Sequence, residues 1–251
     1  MDYTKIIEKV KPSIALVFVI KNGKIVSKGS GFVYSSKGIL VTCNHVISFP
    51  DSGVTIKFPN SEDLIDARVA IRDEEHDLAL LKFEKSSINP LRQADIKVVK
   101  EGMPVFFSGY PLSLTALTTH QGILSAIIKD ATGSETYLID GTVNAGNSGC
   151  PLMTETGEVI GVVNAKRREH SDLLSKVEEL STGAVSLHGI DLVEVYQAII
   201  SNVQLGIGYA VPSSYIPEHV EPSKSRVTTA QAFEKSSPVL QQTLKVRKKH
   251  E

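Results

Sequence analysis

The chain has 251 residues, of which 41% are hydrophobic and 22% charged, and its formal net charge is −1. This is an ordinary globular composition, and the length suits one large β domain or two smaller ones. The small net charge argues against binding to nucleic acid or to a membrane, and two cysteines are too few for a disulfide scaffold or a zinc cluster.

The N-terminal segment shows no export or anchoring signal. Its apolar run, residues 14–20, is short and rich in β-branched residues, and it lacks the small-residue cleavage site of a signal peptide. No apolar stretch approaches the length of a membrane-spanning helix. We therefore expect a soluble cytoplasmic protein, although a chain from which a leader had been removed would look the same.

Up to about residue 165 the chain consists of short, β-branched apolar runs separated by turn residues. They fall at 13–20, 31–34, 38–43, 53–57, 67–71 and 78–83, and then at 103–110, 122–128, 136–143 and 158–165, with one further run at 206–212. Regular spacing of this kind predicts antiparallel sandwiches or barrels. A polar stretch separates the two series, and we place an N-terminal β domain at 1–95 and a C-terminal one at 96–220.

Two stretches depart from this pattern. Between residues 169 and 203, apolar residues recur at helical spacing, which predicts a helical insertion in the second domain. They are Leu173, Leu174, Val177 and Leu180, followed by Leu192, Val195, Ile199 and Ile200. Residues 221–251 are polar and then basic, which predicts a mobile, solvated tail.

A serine between glycines, Ser148, is the first candidate catalytic residue. It lies in DGTVNAGNSGCPL, just before a β-type run. A serine hydroxyl is a poor nucleophile without a base and an oxyanion site. Gly146 permits the turn that points the N–H groups of Gly146 and Ser148 inward, and Gly149 keeps the space beside the nucleophile open. Taken alone, the segment also fits a plain turn between strands.

His45 and Asp77 complete a set with this serine. His45 follows an apolar strand, and Asp77 opens the apolar run LALLKF. An acid at such a position tends to be buried and then needs a partner, for which a histidine N–H is suitable. Each residue alone fits a structural role. The order His, Asp, Ser is that of the chymotrypsin-type proteases, and we predict a catalytic triad.

The chain resembles the trypsin-like superfamily and, within it, the HtrA/Deg-type proteases. Five segments in chain order carry the resemblance: GSGFVYSSKGILVTCNHV, HDLALLK, VFFSGYPLSLTALTTHQGILSAI, NAGNSGCPLMTETGEVIGVVNA and GIGYAVPSSYI. The resemblance implies an all-β fold of two antiparallel six-stranded barrels. It also implies a serine endopeptidase that acts on protein or peptide substrates without a metal or an organic cofactor.

The resemblance assigns a role to each residue of the triad. His45 would be the general base, Asp77 its orienting acid and Ser148 the nucleophile. The backbone of Gly146, Asn147 and Ser148 would form the oxyanion hole.

The resemblance also implies a specificity pocket lined by GIGYAVP (206–212), a strand expected to pair with the substrate backbone along an edge. The candidate substrate-binding residues are Thr142, Val143, Asn144, Ile207, Gly208 and Tyr209. Thr142 stands where trypsin has the acid that selects basic residues, so cleavage after Lys or Arg is not expected. Ile207 and Tyr209 favour small or medium aliphatic residues before the cut.

The sequence departs from the family pattern in three respects. Cys150 replaces the second glycine of GNSGG, and Cys43 lies two residues before His45. A redox pair is conceivable, but we favour two buried, small apolar side chains. Fewer than 40 residues follow GIGYAVPSSYI, so no peptide-binding PDZ domain is expected. The insertion at 169–203 either shapes the pocket, gates it or binds a partner, or is a surface segment without a role at the site.

Two alternatives to a constitutively active protease follow from these departures. One is a latent protease that needs an activating partner or homo-oligomerisation, for which the N-terminal TKIIEKVKP is a candidate contact; the same segment could instead cap the first barrel. The other is a catalytically silent scaffold on a protease fold, against which the intact triad argues.

Overall fold

The fold is described here from a computed structural model of the chain. The structure describes residues 3–84, 88–112, 114–165, 186–187, 190–191, 193, 195 and 206–217. Nearly all of the predicted helical stretches at 169–203, and the predicted tail at 221–251, lie outside the described residues. Within the insertion, the structure describes a short hairpin that the helical periodicity did not predict.

The first six strands close into one antiparallel barrel, in the order β1-β2-β3-β6-β5-β4. They are β1 (Ile14–Lys21), β2 (Lys24–Ser35), β3 (Ile39–Cys43), β4 (Gly53–Lys57), β5 (Ile65–Asp73) and β6 (Leu78–Phe83). β3 is buried along its whole length, and β6 is buried except at Lys82. Strands buried on both faces read as continuous apolar runs, which is why the sequence marks them so clearly.

A second closed barrel follows, in the order β10-β11-β14-β9-β8-β7. Its strands are β7 (Pro104–Gly109), β8 (Thr118–Lys129), β9 (Glu135–Asp140), β10 (Pro151–Thr154), β11 (Val159–Asn164) and β14 (Ile207–Pro212). A separate two-stranded hairpin is formed by β12 (Ser186–Leu187) and β13 (Ile190–Asp191). The predicted all-β fold of two antiparallel six-stranded barrels is thereby confirmed, whereas the boundary between residues 95 and 96 stays a prediction.

The two barrels share an apolar junction. Because side chains alternate across a strand, Phe107 on β7 packs inside the second barrel while its neighbour Phe106 joins the core cluster of the first. Met153, Val162 and Val211 belong to that same cluster. Burying each large side chain contributes about 1.5–3 kcal/mol, so this junction fixes the barrels against each other.

In addition to the helical residues 193 and 195, the described structure contains two short helices and three 3-10 turns. They are α1 (Thr4–Val10), α2 (Asn44–Ile47) and the 3-10 turns Lys11–Ser13, Ile96–Val98 and Ser213–Tyr215. α1 packs at the junction of the barrels: Val10 belongs to the core cluster of the first barrel, and Ile6 and Val10 lie against Gly157 of the second. Just before the helix, the Tyr3 ring lies 5.0 Å from that of Phe106. Whether this segment caps the barrel or contacts another protomer stays a prediction. No helix among the described residues is long and apolar enough to span a membrane.

Candidate active site

His45 is presented by α2, directly after the buried strand β3. Its backbone N–H donates to Asp77 Oδ1 at 2.8 Å, and its ring Nδ1 lies 2.5 Å from Asp77 Oδ2. Two contacts to one carboxylate fix both the backbone and the ring of the histidine. Because a carboxylate only accepts hydrogen bonds, the ring carries its proton on Nδ1 and leaves Nε2 free to accept one.

Asp77 occupies a left-handed backbone conformation, with φ of 57°, at the entrance to β6. Aspartate tolerates this conformation better than most residues do. Its carbonyl accepts the Asn44 N–H at 2.9 Å, and the following residue, Leu78, is in register with Cys43 at the end of β3. Pairing of β3 with β6 therefore brings the acid beside the histidine.

The Asp77 carboxylate has a third hydrogen-bond donor, the side-chain amide of Asn164, at 2.8 Å from Oδ2. Burial raises the pKa of this carboxyl. Hydrogen bonds from the ring and backbone of His45, Coulombic attraction to the protonated form of His45 and the hydrogen bond from the Asn164 amide all lower it. Together they outweigh burial, so the pKa lies below its ordinary value. The acid is therefore ionised at neutral pH and orients the imidazole.

Ser148 completes the predicted triad, because its Oγ lies 2.9 Å from His45 Nε2. The Ala165 N–H also donates to this oxygen, at 3.2 Å. Ser148 is 4% exposed, so the hydroxyl faces a largely desolvated site. The three residues, far apart in sequence, thus form one continuous hydrogen-bonded chain from carboxylate to nucleophile.

The loop that carries Ser148 requires glycine on both sides of it. Gly146 and Gly149 have φ of 95° and 88°, values that L side chains rarely adopt. A Cβ on Gly146 would lie 2.3 Å from the Tyr110 carbonyl oxygen, and one on Gly149 would lie 2.1 Å from that of Ser30. The glycines therefore allow the loop to turn tightly against both barrels.

Two of the three residues predicted for the oxyanion hole keep a free donor. Among the described residues, no acceptor pairs with the backbone N–H of Gly146 or of Ser148. The Asn147 N–H instead donates to the Asn144 carbonyl at 3.0 Å, so in this structure it is not available as a third donor. Its side chain is fully buried, and neither polar atom has a hydrogen-bond partner in the described part of the chain.

The predicted pocket residues come together only in part. Val143 lies over Gly208, where an added Cβ would be 2.3 Å from Val143 Cγ2. Thr142 is exposed, Ile207 is 56% exposed, and Tyr209 is half-buried. The Asn144 carbonyl is occupied by the turn described above. Their role in substrate binding stays a prediction.

The strand predicted to pair with substrate, 206–212, has register partners on both edges at two of its residues, Tyr209 and Ala210. β14 pairs with β11 from Tyr209 to Pro212 and with β9 from Ile207 to Ala210. Among the described residues, Ile207 and Gly208 have no register partner on the β11 side, and Val211 and Pro212 have none on the β9 side. Pairing of this strand with a substrate backbone therefore stays a prediction, for which Ile207 and Gly208 leave the edge toward β11 open.

Cys43 and Cys150 are free and fully buried, in agreement with the packing role that the sequence favoured. Burial raises the pKa of both thiols well above the ordinary value, so both are protonated. Cys43, His45 and Asp77 offer possible metal ligands within 4.8 Å of one another. Each already has a hydrogen-bond partner, since the Cys43 thiol donates to the Val163 carbonyl at 3.3 Å.

Three contributors to the site were not identified from the sequence: Asn164, the backbone N–H of Ala165, and Ser30 beneath the nucleophile loop. Asn164 did carry a signal, because it is the polar residue that ends the apolar run VIGVV. A buried strand that ends in a polar side chain implies a partner for it. The other two contacts depend on the packing of the barrels.

The double barrel and its Asp–His–Ser chain define a protein of the chymotrypsin-like serine protease fold. A model of the trypsin-like peptidase domain matches residues 29–162, just over half of the chain. The chain belongs to this family.

Similar proteins carry related names. A serine protease Do-like HtrA of Lactobacillus helveticus is 36% identical over 201 residues, which cover 74% of this chain and 48% of that protein. A probable periplasmic serine endoprotease DegP-like of Rhizobium meliloti (strain 1021) is 37% identical over 144 residues, 55% of this chain and 28% of that protein. The chain thus spans less than half the length of these curated relatives.

Two solved structures share the fold. A serine endoprotease from Yersinia pestis aligns with a TM-score of 0.61 at 24% identity, covering 85% of this chain and 63% of that one. The HtrA-type protease AlgW with a tripeptide aligns with a TM-score of 0.62 at 22% identity, covering 85% and 60%. At these identities the likeness supports the architecture alone.

Proposed function

We propose that this chain is a serine endopeptidase that cleaves peptide bonds through an acyl-enzyme on Ser148. The hydrogen-bonded chain of 2.5 Å from Asp77 to His45 and 2.9 Å from His45 to Ser148 carries the proposal. Membership in the trypsin-like peptidase family supports it.

In the proposed reaction, Ser148 Oγ attacks the scissile carbonyl while His45 Nε2 takes its proton. Asp77 keeps the imidazole in the Nδ1–H tautomer and stabilises the imidazolium. The N–H groups of Gly146 and Ser148 donate to the developing oxyanion. His45 then gives its proton to the leaving amine, and water repeats the sequence to release the acyl group.

We further propose a preference for small or medium aliphatic residues before the cut. The contact of Val143 with Gly208 supports this, because a side chain lying over a glycine reduces the space that the glycine would otherwise leave open. Thr142 supplies no carboxylate for a basic side chain.

For the cellular location, the relatives are at odds with the cytoplasmic prediction. The Rhizobium meliloti relative is named periplasmic. We therefore propose a location outside the cytoplasm, which cell fractionation with an antibody to this chain would test. Recovery of the protein in the cytoplasmic fraction alone would contradict it.

The function is tested by labelling the purified chain with a fluorophosphonate probe, beside Ser148→Ala and Ser13→Ala. Ser13 is a buried serine whose hydroxyl donates to the Asn89 carbonyl, so its variant is a matched control. We expect labelling of the parent and of Ser13→Ala only. A folded parent that does not label contradicts autonomous activity; labelling only after addition of a partner, or in an oligomeric fraction, would favour the latent alternative.

A further inference from the structure

Ser30 lies on β2 of the first barrel, directly beneath the nucleophile loop of the second. It is fully buried. Gly29 precedes it, and a Cβ on Gly29 would lie 3.1 Å from the Ser148 carbonyl oxygen. The absence of a side chain there lets β2 approach the loop closely, and it brings Ser30 against the backbone on both sides of the nucleophile.

Ser30 makes three hydrogen bonds across the junction between the barrels. Its backbone N–H donates to the Ser148 carbonyl at 2.8 Å. Its hydroxyl donates to the Gly146 carbonyl at 2.7 Å and accepts the Tyr110 N–H at 3.0 Å. The Ser30 carbonyl is held in turn by the Thr42 hydroxyl at 2.7 Å. One residue therefore binds two carbonyls of the nucleophile loop.

These two carbonyls belong to the residues whose N–H groups face the proposed oxyanion. A peptide unit is planar and contains the carbonyl of one residue and the N–H of the next, so the Gly146 and Ser148 donors lie in the units that begin with the Ala145 and Asn147 carbonyls. The Cys150 N–H holds the Asn147 carbonyl at 3.0 Å. Ser30 holds the units on the other side of the Gly146 and Ser148 α-carbons and thereby limits rotation of each donor about its α-carbon. The Ser30 hydroxyl fixes the unit after Gly146, and the Ser30 N–H fixes the unit after Ser148. On the other side of Gly146, the Leu112 N–H holds the Ala145 carbonyl at 2.5 Å.

We propose that Ser30 is a positioning residue that sets the direction of the two oxyanion-hole donors, Gly146 N–H and Ser148 N–H. The proposal rests on the endopeptidase function proposed above. Ser30 touches no reacting atom and acts through the loop. Preorganised donors accelerate the reaction because they need no reorganisation when the charge develops. If the loop rotates and the donors no longer face the oxyanion, kcat should therefore fall while KM changes little.

A purely structural role for Ser30 makes a different prediction. Loss of a buried hydroxyl then lowers stability without changing the turnover of the molecules that remain folded. The two roles are separated by measuring kcat and KM at a temperature at which each variant is fully folded by circular dichroism. Ser13→Ala, which removes a comparable buried serine hydroxyl bond of 2.7 Å, calibrates the structural effect.

The experiment compares Ser30→Ala with the parent, Ser13→Ala and Ser148→Ala on a peptide substrate and on the fluorophosphonate. Removal of a direct oxyanion donor costs on the order of 100- to 1,000-fold in kcat, and Ser30 acts one step away. We expect kcat and the labelling rate of Ser30→Ala to fall roughly 10- to 100-fold, with KM within about twofold of the parent. A folded Ser30→Ala whose kcat matches that of Ser13→Ala overturns the proposal.

Thr42→Val provides the test if Ser30→Ala does not fold. This near-isosteric change removes the hydroxyl that holds the Ser30 carbonyl while Ser30 itself remains. We expect kcat to fall roughly 3- to 10-fold with KM unchanged, and an unaltered kcat overturns the proposal. A parent without activity or labelling instead overturns the endopeptidase function, which distinguishes that failure from the failure of Ser30 alone.

Discussion

The side-chain amide of Asn164, on β11 of the second barrel, donates to Asp77 Oδ2 of the first barrel at 2.8 Å. The bond joins residues 87 positions apart, and it makes the orientation of the catalytic acid depend on how the two barrels pack. Asn164 is 4% exposed, so water has little access to replace its amide.

Substitution Asn164→Ala is therefore expected to lower kcat about tenfold. A hydrogen bond to a charged group contributes on the order of 1.5–3 kcal/mol. The effect lies at the low end of this range because the backbone N–H and ring Nδ1 of His45 still bind the Asp77 carboxylate. The measurement is kcat and KM on a peptide substrate. Asn89→Ala, at an exposed asparagine, is the control and should leave kcat unchanged. Equal kcat in the two variants would show that the Asn164 bond does not contribute to catalysis.

Asp77→Asn should retain the fold but lose turnover by about 10⁴-fold, if the behaviour of the chymotrypsin template applies here. The physical reason is the tautomer of His45. An asparagine amide that donates to Nδ1 forces the imidazole proton onto Nε2, and a protonated Nε2 can no longer accept the proton of Ser148. Burst kinetics on an activated ester would measure the acylation step directly. Turnover within tenfold of the parent would contradict the assigned role of Asp77.

The same carboxylate predicts how stability changes with acid. The pKa of Asp77 in the folded chain lies below its ordinary value, so its contribution to stability is fully present above that value, near pH 4. The contribution is lost as pH falls through the lower folded pKa. Urea unfolding between pH 7 and pH 2.5 should thus show a steeper acid loss in the parent than in Asp77→Asn; parallel curves would rule out this linkage.

The triad was predictable from sequence because each member is marked by its own neighbours. Ser148 lies between glycines, and His45 and Asp77 border apolar strands. The hydrogen bonds that hold the triad and its loop in place were not predictable, because they join residues that are distant in sequence. The Ser30 hydroxyl and the Gly146 carbonyl, for example, are 116 positions apart. The sequence likewise does not show which edge of 206–212 is paired, because strand periodicity predicts which face is buried but not which strands lie alongside.

The two cysteines should be inert in the native protein. Both thiols are fully buried and protonated, and thiolate is the reactive form. A chromogenic disulfide reagent at neutral pH should therefore release no thiolate chromophore from the folded chain within minutes and two equivalents after denaturation, in line with the two cysteines of the sequence. Rapid reaction of one equivalent in the native state would show that one of the cysteines becomes exposed, and Cys43→Ala would identify which.

The contact between Val143 and Gly208 predicts a change in substrate preference. Val143→Ala removes both γ-methyl groups, including Cγ2, which lies over the glycine, and should enlarge the pocket proposed there. One methylene in an apolar pocket is worth about 10- to 200-fold in discrimination. We expect kcat/KM for a peptide with leucine before the cut to rise at least tenfold relative to the alanine peptide. Val26→Ala, at an exposed valine on β2 of the first barrel, is the matched control and should leave this ratio unaltered. If both variants keep the parent's ratio, Val143 does not limit the pocket, and the residue before the cut binds elsewhere on the second barrel.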